Sequence, residues 1–401
     1  MSEDRHVAPS MAMAVACGAM LNLGYMSLWL QPAVIGEITG VWHIPVDLAG
    51  VIATGETLTV SGVLLLAFRW KGRIAYRAVG LAGLMITALA TLACFVADGF
   101  VSLLVARLVA AIGFGLMLVV PNLALASFER TDLMFGRLYT LNLLWSALLV
   151  YAMPWVERLG FGPAPFVGYL LSCALMLPLF LLMPAAAASR SMRKEDVAAF
   201  GAEARKIVSR LAFGSAAVGL GFGLVWAFFV LLGQKAGMAK GDAITASSLS
   251  LLGAFLGSAL ASQSRFFAIT LPIFRVALFA AAASLLCIAL SSPPPVFVAA
   301  GMIAMFGMYF FFPTVLGAAG KIDDTGRSVA LINGSLSTLS AIGPLIGGVI
   351  LAQGGRYLLG FLAAGAVCVA VIAFETVLRR GNERNASAAK LGAGNVPEAS
   401  R

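Results

Sequence analysis

Two residues sit where lipid would reject them. Arg107 lies within VARLVAAIGFGLMLVVPNLALA (105–126), and Glu56 within AGVIATGETLTVSG (49–62). An arginine near mid-bilayer costs about 2.5–3.5 kcal/mol on insertion scales, so it must face the protein interior and meet an anion. Glu56 is the acid placed to answer it. Each follows the start of its apolar block by six to eight residues, which sets both roughly 9–12 Å below one surface at 1.5 Å per residue. Tyr25 falls in the same layer, and the three are expected to form one polar cluster. Burial favours a protonated carboxyl and a neighbouring Arg favours the ionised one, so a change of partner would load or release a proton. The alternative is a permanent ion pair that fixes helix packing.

Uncharged polar residues recur at helical spacing. Asn22, Tyr25 and Trp29 form one stripe, Tyr139, Asn142 and Trp145 a second, and Asn333, Ser337 and Ser340 a third. Facing lipid, their donors would go unmet, so each stripe is expected to face protein or a water-filled cavity. Asn22, Tyr25, Trp29, Asn142, Trp145 and Asn333 are candidate cavity residues, with helix–helix hydrogen bonding as the alternative. Trp226 with Phe222, and Tyr309 with Met305, would supply an adaptable opposite wall.

The elements that must position these residues follow from composition. The 401-residue chain is 61% hydrophobic and 11% charged, far from the roughly 25% charged of soluble domains. Its apolar residues cluster near 11–35, 48–68, 78–97, 101–126, 134–156, 164–184, 209–233, 244–263, 269–290, 295–318, 326–352 and 356–378. Each block suits one crossing of ~30 Å of hydrocarbon as a helix. The expected fold is all-α and polytopic, with twelve transmembrane helices. The first crossing is read as uncleaved. Of the 27 Lys and Arg, only Arg158, Lys235, Lys240 and Arg356 fall on one side, Arg107 lies inside a block, and the rest fall on the other side. This asymmetry places both termini in the cytoplasm and the chain in the plasma (bacterial inner) membrane. It explains the net charge of +9 without nucleic acid. Cys17, Cys94, Cys173, Cys287 and Cys368 all fall inside apolar blocks and read as small apolar residues, with no metal or disulfide pattern.

A cytoplasmic linker at 185–208 divides a six-helix segment, 11–184, from another, 209–379. An N-tail at 1–10 and a disordered C-tail at 380–401 flank them. The halves repeat each other. Gly24-x4-Trp29-x6-Gly36 matches Gly221-x4-Trp226-x6-Gly233, and Pro154 follows Gly136-Arg137 as Pro344 follows Gly326-Arg327, seventeen residues after each Arg. With its basic linker between two sets of six, the layout resembles the major facilitator superfamily over about residues 10–380. Arg107-x3-Ala111-x-Gly113-x-Gly115 is similar to that family's R-x-x-x-G-x-G-x-G, with Ala111 for the first glycine. Gly343-Pro344-x2-Gly347-Gly348 resembles the G-P-x-x-G-G element of efflux members, which there lies in the fifth span. Here the fifth span carries Met153-Pro154-Trp155-Val156-Glu157 instead. Gly72-Arg73 keeps part of the family's loop after span 2, while Arg69 stands where its acid belongs.

The resemblance implies two pseudo-symmetric six-helix bundles, with spans 1, 4, 7 and 10 lining a central cavity. Gly72, Arg73, Gly113, Gly115, Pro154, Gly343, Pro344, Gly347 and Gly348 would then serve packing or gating. The expected function is secondary transport of a small organic solute by alternating access, as proton-coupled efflux of amphipathic compounds. Proton-linked uptake of an organic anion, paired with Arg107, is the second expectation, and a non-transporting sensor the third. No phosphate-binding G-x-x-x-x-G-K-[ST] loop occurs. No Ser/His, paired-Asp or metal constellation suggests an enzyme. No cofactor is expected. The expected partners are the solute, protons and membrane lipids, and the chain is expected to act as a monomer.

Overall fold

The computed structural model describes residues 10–67, 75–125, 131–184, 202–261, 271–290, 293–320 and 327–393. Among these every regular element is a helix. The first half of the chain forms α1 (Met11–Trp29), α2 (Gln31–Gly40), α3 (Val46–Ala67), α4 (Tyr76–Phe95), α5 (Phe100–Ala124), α6 (Thr131–Arg158) and α7 (Ala164–Phe180). The second half forms α8 (Ala202–Trp226), α9 (Phe229–Lys235), α10 (Lys240–Ala261), α11 (Leu271–Ala289), α12 (Pro294–Gly320), α13 (Arg327–Ala352) and α14 (Arg356–Ala393). Ten of them are long and apolar enough to cross a membrane, and Ala164–Phe180 and Arg275–Ala289 are shorter apolar helices.

Local chemistry sets several boundaries. Ser10 caps α1 by accepting from the Met13 amide at 3.2 Å. Pro32, at the start of α2, separates that helix from α1. Gly237 and Gly354 adopt φ of +89° and +75° in the turns before α10 and α14, a conformation that side chains resist. Pro121, Pro154, Pro313 and Pro344 sit inside helices, as membrane-buried helices tolerate.

One expectation needs correcting. α14 continues to Ala393, so the segment expected to lack structure from 380 is helical as far as 393. The run Asn-Ala-Ser-Ala-Ala-Lys (385–390) is polar, which suggested a tail, yet its alanines favour helix.

The near face carries the start of α1 and the far face the turn from α2 to α3. Backbones touch where glycine removes the side chain. A Cβ on Gly113 would strike α4 at Thr87 and Gly83, and one on Gly115 would strike Val63 of α3. In the second half, Gly219 and Gly223 lie against the Leu336 and Ser340 carbonyls of α13, and Gly343 against Gly223. Gly253 and Gly257 do the same against α12 at Met302 and Phe306. Such close approach replaces the hydrophobic drive that lipid does not supply.

Candidate functional site

Arg107 and Glu56 are brought together deep inside the first half. Arg107 Nη2 donates to Glu56 Oε1 at 2.5 Å and Nε to Oε2 at 3.1 Å, a bidentate pair. Arg107 is 0% exposed and Glu56 3%. Tyr169 of α7 completes the cluster. Its hydroxyl accepts from Arg107 at 3.4 Å and reaches the Met26 carbonyl at 3.4 Å, while the guanidinium carbon lies 5.0 Å from its ring and 5.5 Å from that of Phe166. The Cys94 thiol donates to the Ala90 carbonyl at 3.4 Å, and Arg107 Nη1 is buried without a hydrogen-bond partner. The fork-on-carboxylate geometry and the ring faces compensate a charge that could not otherwise leave water.

Tyr25, expected beside this pair, stands elsewhere. It packs edge-on against Tyr139, with centroids 5.3 Å apart, and lies 6.4 Å from Trp29. Successive helical residues point about 100° apart. The rotation of α1 turns the Tyr25 side chain toward Tyr139 of α6, while only the backbone carbonyl of Met26 reaches Tyr169. The sequence offered no signal for Tyr169 beyond an aromatic hydroxyl inside an apolar block.

A second cluster lies where the two halves of the chain meet. Trp29 stands 5.4 Å from Tyr309 of α12, and Tyr139 stands 6.1 Å from it. Trp29 Nε1 donates to Asn142 Oδ1 at 2.6 Å, and Asn142 Nδ2 donates to the Leu21 carbonyl at 3.0 Å. The polar groups of Trp29 and Asn142, both expected to line a cavity, are therefore taken up in joining α1 to α6. Trp145 Nε1 and Asn22 Oδ1 are buried without a hydrogen-bond partner. Trp226 Nε1 donates across the halves to the Leu28 carbonyl at 3.1 Å.

From this level to the far face the halves are sewn shut. The Leu345 amide of α13 donates to Thr54 Oγ1 of α3 at 3.0 Å. Gly50 meets the Pro344 carbonyl, Gly348 meets Asp47, and Gly36 meets Val230. Lys240 Nζ, at the start of α10, reaches Glu37 at 2.7 Å and Glu157 at 2.8 Å, tying α2 and α6 to the second half. Gly241 lies beside Pro154. A pocket of about 290 Å³ at this face is lined by Val46, Leu231, Leu232, Gln234, Lys235 and Leu351.

Toward the near face the same stripes open. On α3, Gly50 and Thr54 are buried, Thr57 and Ser61 partly exposed, and Leu65 is 67% exposed. On α13, Pro344 is buried, Ser340 and Ser337 are partly exposed, and Asn333 is exposed. On α1, Asn22 and Tyr25 are partly exposed, Val15 39% and Met11 78%. α6 and α10 remain in contact lower down, with Thr140 and Ser258 hydroxyls 3.0 Å apart and Ser248 Oγ donating to the Ala147 carbonyl at 2.8 Å. Gly72 and Arg73 lie outside the described residues. Among the described residues, no group of three metal-ligating side chains occurs.

The chain's sequence matches no family model and no curated protein. Its structure is similar to that of the nucleoside transporter NupG in its D323A mutant, at 14% identity and a TM-score of 0.65, covering 92% of this chain and 100% of that one. It is also similar to a bacterial homolog of the human lysosomal transporter Spinster. In the inward-facing, unoccupied conformation the values are 17% identity, TM-score 0.60, and 91% and 94% coverage. In the inward-facing, occupied conformation they are 17%, 0.61, and 92% and 96%.

Proposed function

We propose that this chain, which has the fold of the major facilitator transporters, is a secondary transporter carrying a small organic solute between its halves by alternating access. One observation carries the reading: the seam between α3 and α13 is sealed at the far face and accessible from the near one, with the Trp29–Tyr139–Tyr309 cluster at its head. In this reading α1 with α2, and α8 with α9, each make one crossing. Twelve crossings then form two repeat-related bundles of six. The near face is cytoplasmic by its excess of Lys and Arg, and the conformation is open to the inside.

The solute we assign is uncharged and amphipathic. α1 and α12 carry no ionised residue along their length, and the oppositely charged residues inside the described spans are paired with each other, Arg107 with Glu56 and Arg275 with Glu375. A similar structure being that of a nucleoside transporter accords with a neutral, ring-bearing solute. Uptake of an organic anion, which would rely on Arg107 as counter-ion, loses support because Glu56 already occupies that guanidinium. Export is the direction we assign. Its support is the G-P-x-x-G-G element at 343–348, which here packs the far seam.

We assign protons as the coupling ion and Glu56 as the group that carries one, through opening of its pair with Arg107 during the cycle. In proteoliposomes, an imposed pH gradient should drive solute movement in the wild type and not in Glu56→Gln. A Glu56→Gln chain with wild-type rate and pH dependence would leave the pair a packing element alone. Solute binding with no flux under proton, sodium or solute gradients would instead assign a sensor.

A further inference from the structure

α1 ends at Trp29 and α2 begins at Gln31, with Pro32 second in the new helix. A proline has no N–H, so the carbonyl four residues earlier loses the donor that an unbroken helix would supply. That carbonyl belongs to Leu28. The donor it has comes from the other half of the chain, Trp226 Nε1 at 3.1 Å. Trp226 itself closes α8, one residue type and one repeat position matched to Trp29. Yet Trp29 turns its N–H into its own half, onto Asn142. Only one of the two repeat-related indoles bridges the halves.

Both groups border the cross-half cluster. Leu28 extends the accessible stripe of Asn22 and Tyr25, and the next residue, Trp29, touches Tyr309. Any movement that parts α8 from α1 breaks this bond. An acceptor and a donor would then stand unpaired in an apolar setting, a state that proteins in lipid avoid by finding new partners. The partner at hand in a passage is its cargo, much as unwound helix carbonyls in other transporter folds hold their ions.

We propose that the Leu28 carbonyl and the Trp226 indole N–H are a matched acceptor and donor, closed on each other here and offered to the solute when the halves part. The cargo is then an uncharged compound with a hydrogen-bond donor beside an acceptor, as in a carboxamide or cyclic imide. The assignment of cargo rests on the transport reading above, while the gating bond does not.

The test uses the full chain in proteoliposomes, with the five native cysteines replaced by alanine and Leu351→Cys at the far seam as reporter. Trp226→Phe keeps a ring and removes the donor. It should speed far-side labelling by a membrane-impermeant maleimide about fivefold, the factor that one net hydrogen bond supports. Pro32→Ala gives Leu28 a helical donor again. In that background, adding Trp226→Phe should change labelling less than about twofold. No acceleration by Trp226→Phe in the unaltered chain overturns the proposal, even if Pro32→Ala fails to fold, as does equal acceleration with and without Pro32→Ala.

The cargo is read with benzamide and N,N-dimethylbenzamide, which differ in the N–H donor. Benzamide should move about tenfold faster, and Pro32→Ala should erase the preference. Equal movement of the two overturns the cargo assignment. Movement of neither, with the labelling response intact, overturns that assignment together with the transport reading and upholds the gating bond.

Discussion

The two halves of the chain place a tryptophan at the same point of a shared repeat, Trp29 before one helix break and Trp226 before the other, and then bond it differently. Trp29 is locked inward by Asn142, whereas Trp226 reaches outward to Leu28. Their interiors differ in the same sense. The first half is held by a buried ion pair and its aromatic surround at Arg107, Glu56, Tyr169 and Phe166. In the second half the ion pair, Arg275 with Glu375, is about one-third exposed, and glycines bring α8 onto α13 and α10 onto α12 much as Gly83, Gly113 and Gly115 do in the first. The shared Gly-x4-Trp-x6-Gly spacing is therefore filled by different polar partners in the two halves.

The strongest way to break this contrast is to remove one partner of the ion pair. Arg107→Leu leaves a buried carboxylate without its counter-charge and should lower stability in detergent by about 3–5 kcal/mol. Glu56→Leu/Arg107→Leu should recover most of that loss in a thermal-unfolding series. A double variant no more stable than the single one would mean that charge compensation is not what the pair contributes.

Next in size is overpacking of the second half. Gly223→Val sets branched carbons against the Ser340 carbonyl and should cost about 1–3 kcal/mol, measured in the same way. An unchanged melting point would show that α8 and α13 are not held by close approach. Asn142→Leu leaves Trp29 Nε1 buried and without its acceptor, with a loss of about 1–3 kcal/mol. The matching Trp226→Phe removes one net hydrogen bond, should cost about 1 kcal/mol, and should alter far-face accessibility as well, which Asn142→Leu should not, and that split sharpens the comparison most.

The last test is at Lys240, whose side chain is 29% exposed and pairs with a Glu37 side chain only 2% exposed. Lys240→Gln leaves that buried acid without its counter-charge and should cost about 1–3 kcal/mol, and it should raise maleimide labelling of Leu351→Cys from the far side. High salt should raise labelling of the parent in the same manner and leave Lys240→Gln unmoved, since only the parent has an ionic tie to screen.

Much of this was legible before any coordinates. The all-helical class, the apolar blocks and the Gly-x4-Trp-x6-Gly repeat are local properties of the chain. Arg107 and Glu56 were legible as a pair because lipid forbids either one alone, and depth along two helices narrows the candidates to one. Helix rotation was not legible. It moved Tyr25 to the aromatic cluster, brought Tyr169 to Arg107 in its place, and turned Asn142 from a cavity residue into a brace. The join of Lys240 to Glu37 and Glu157 required knowing which helix ends share a face across the halves. Each had been visible only as a charge near the end of a block.

By itself the sequence determined what must be buried, where the apolar helices fall along the chain, and which prolines and glycines could interrupt or release the backbone. These follow from hydration and steric rules that act within a few residues. Tertiary structure alone decided which partner each buried polar group found: Tyr169 for Arg107, Asn142 for Trp29, and Leu28 for Trp226. Hydrogen bonds depend on ångström-scale approach and on rotation about helix axes, which distant packing contacts fix and which residue order leaves open.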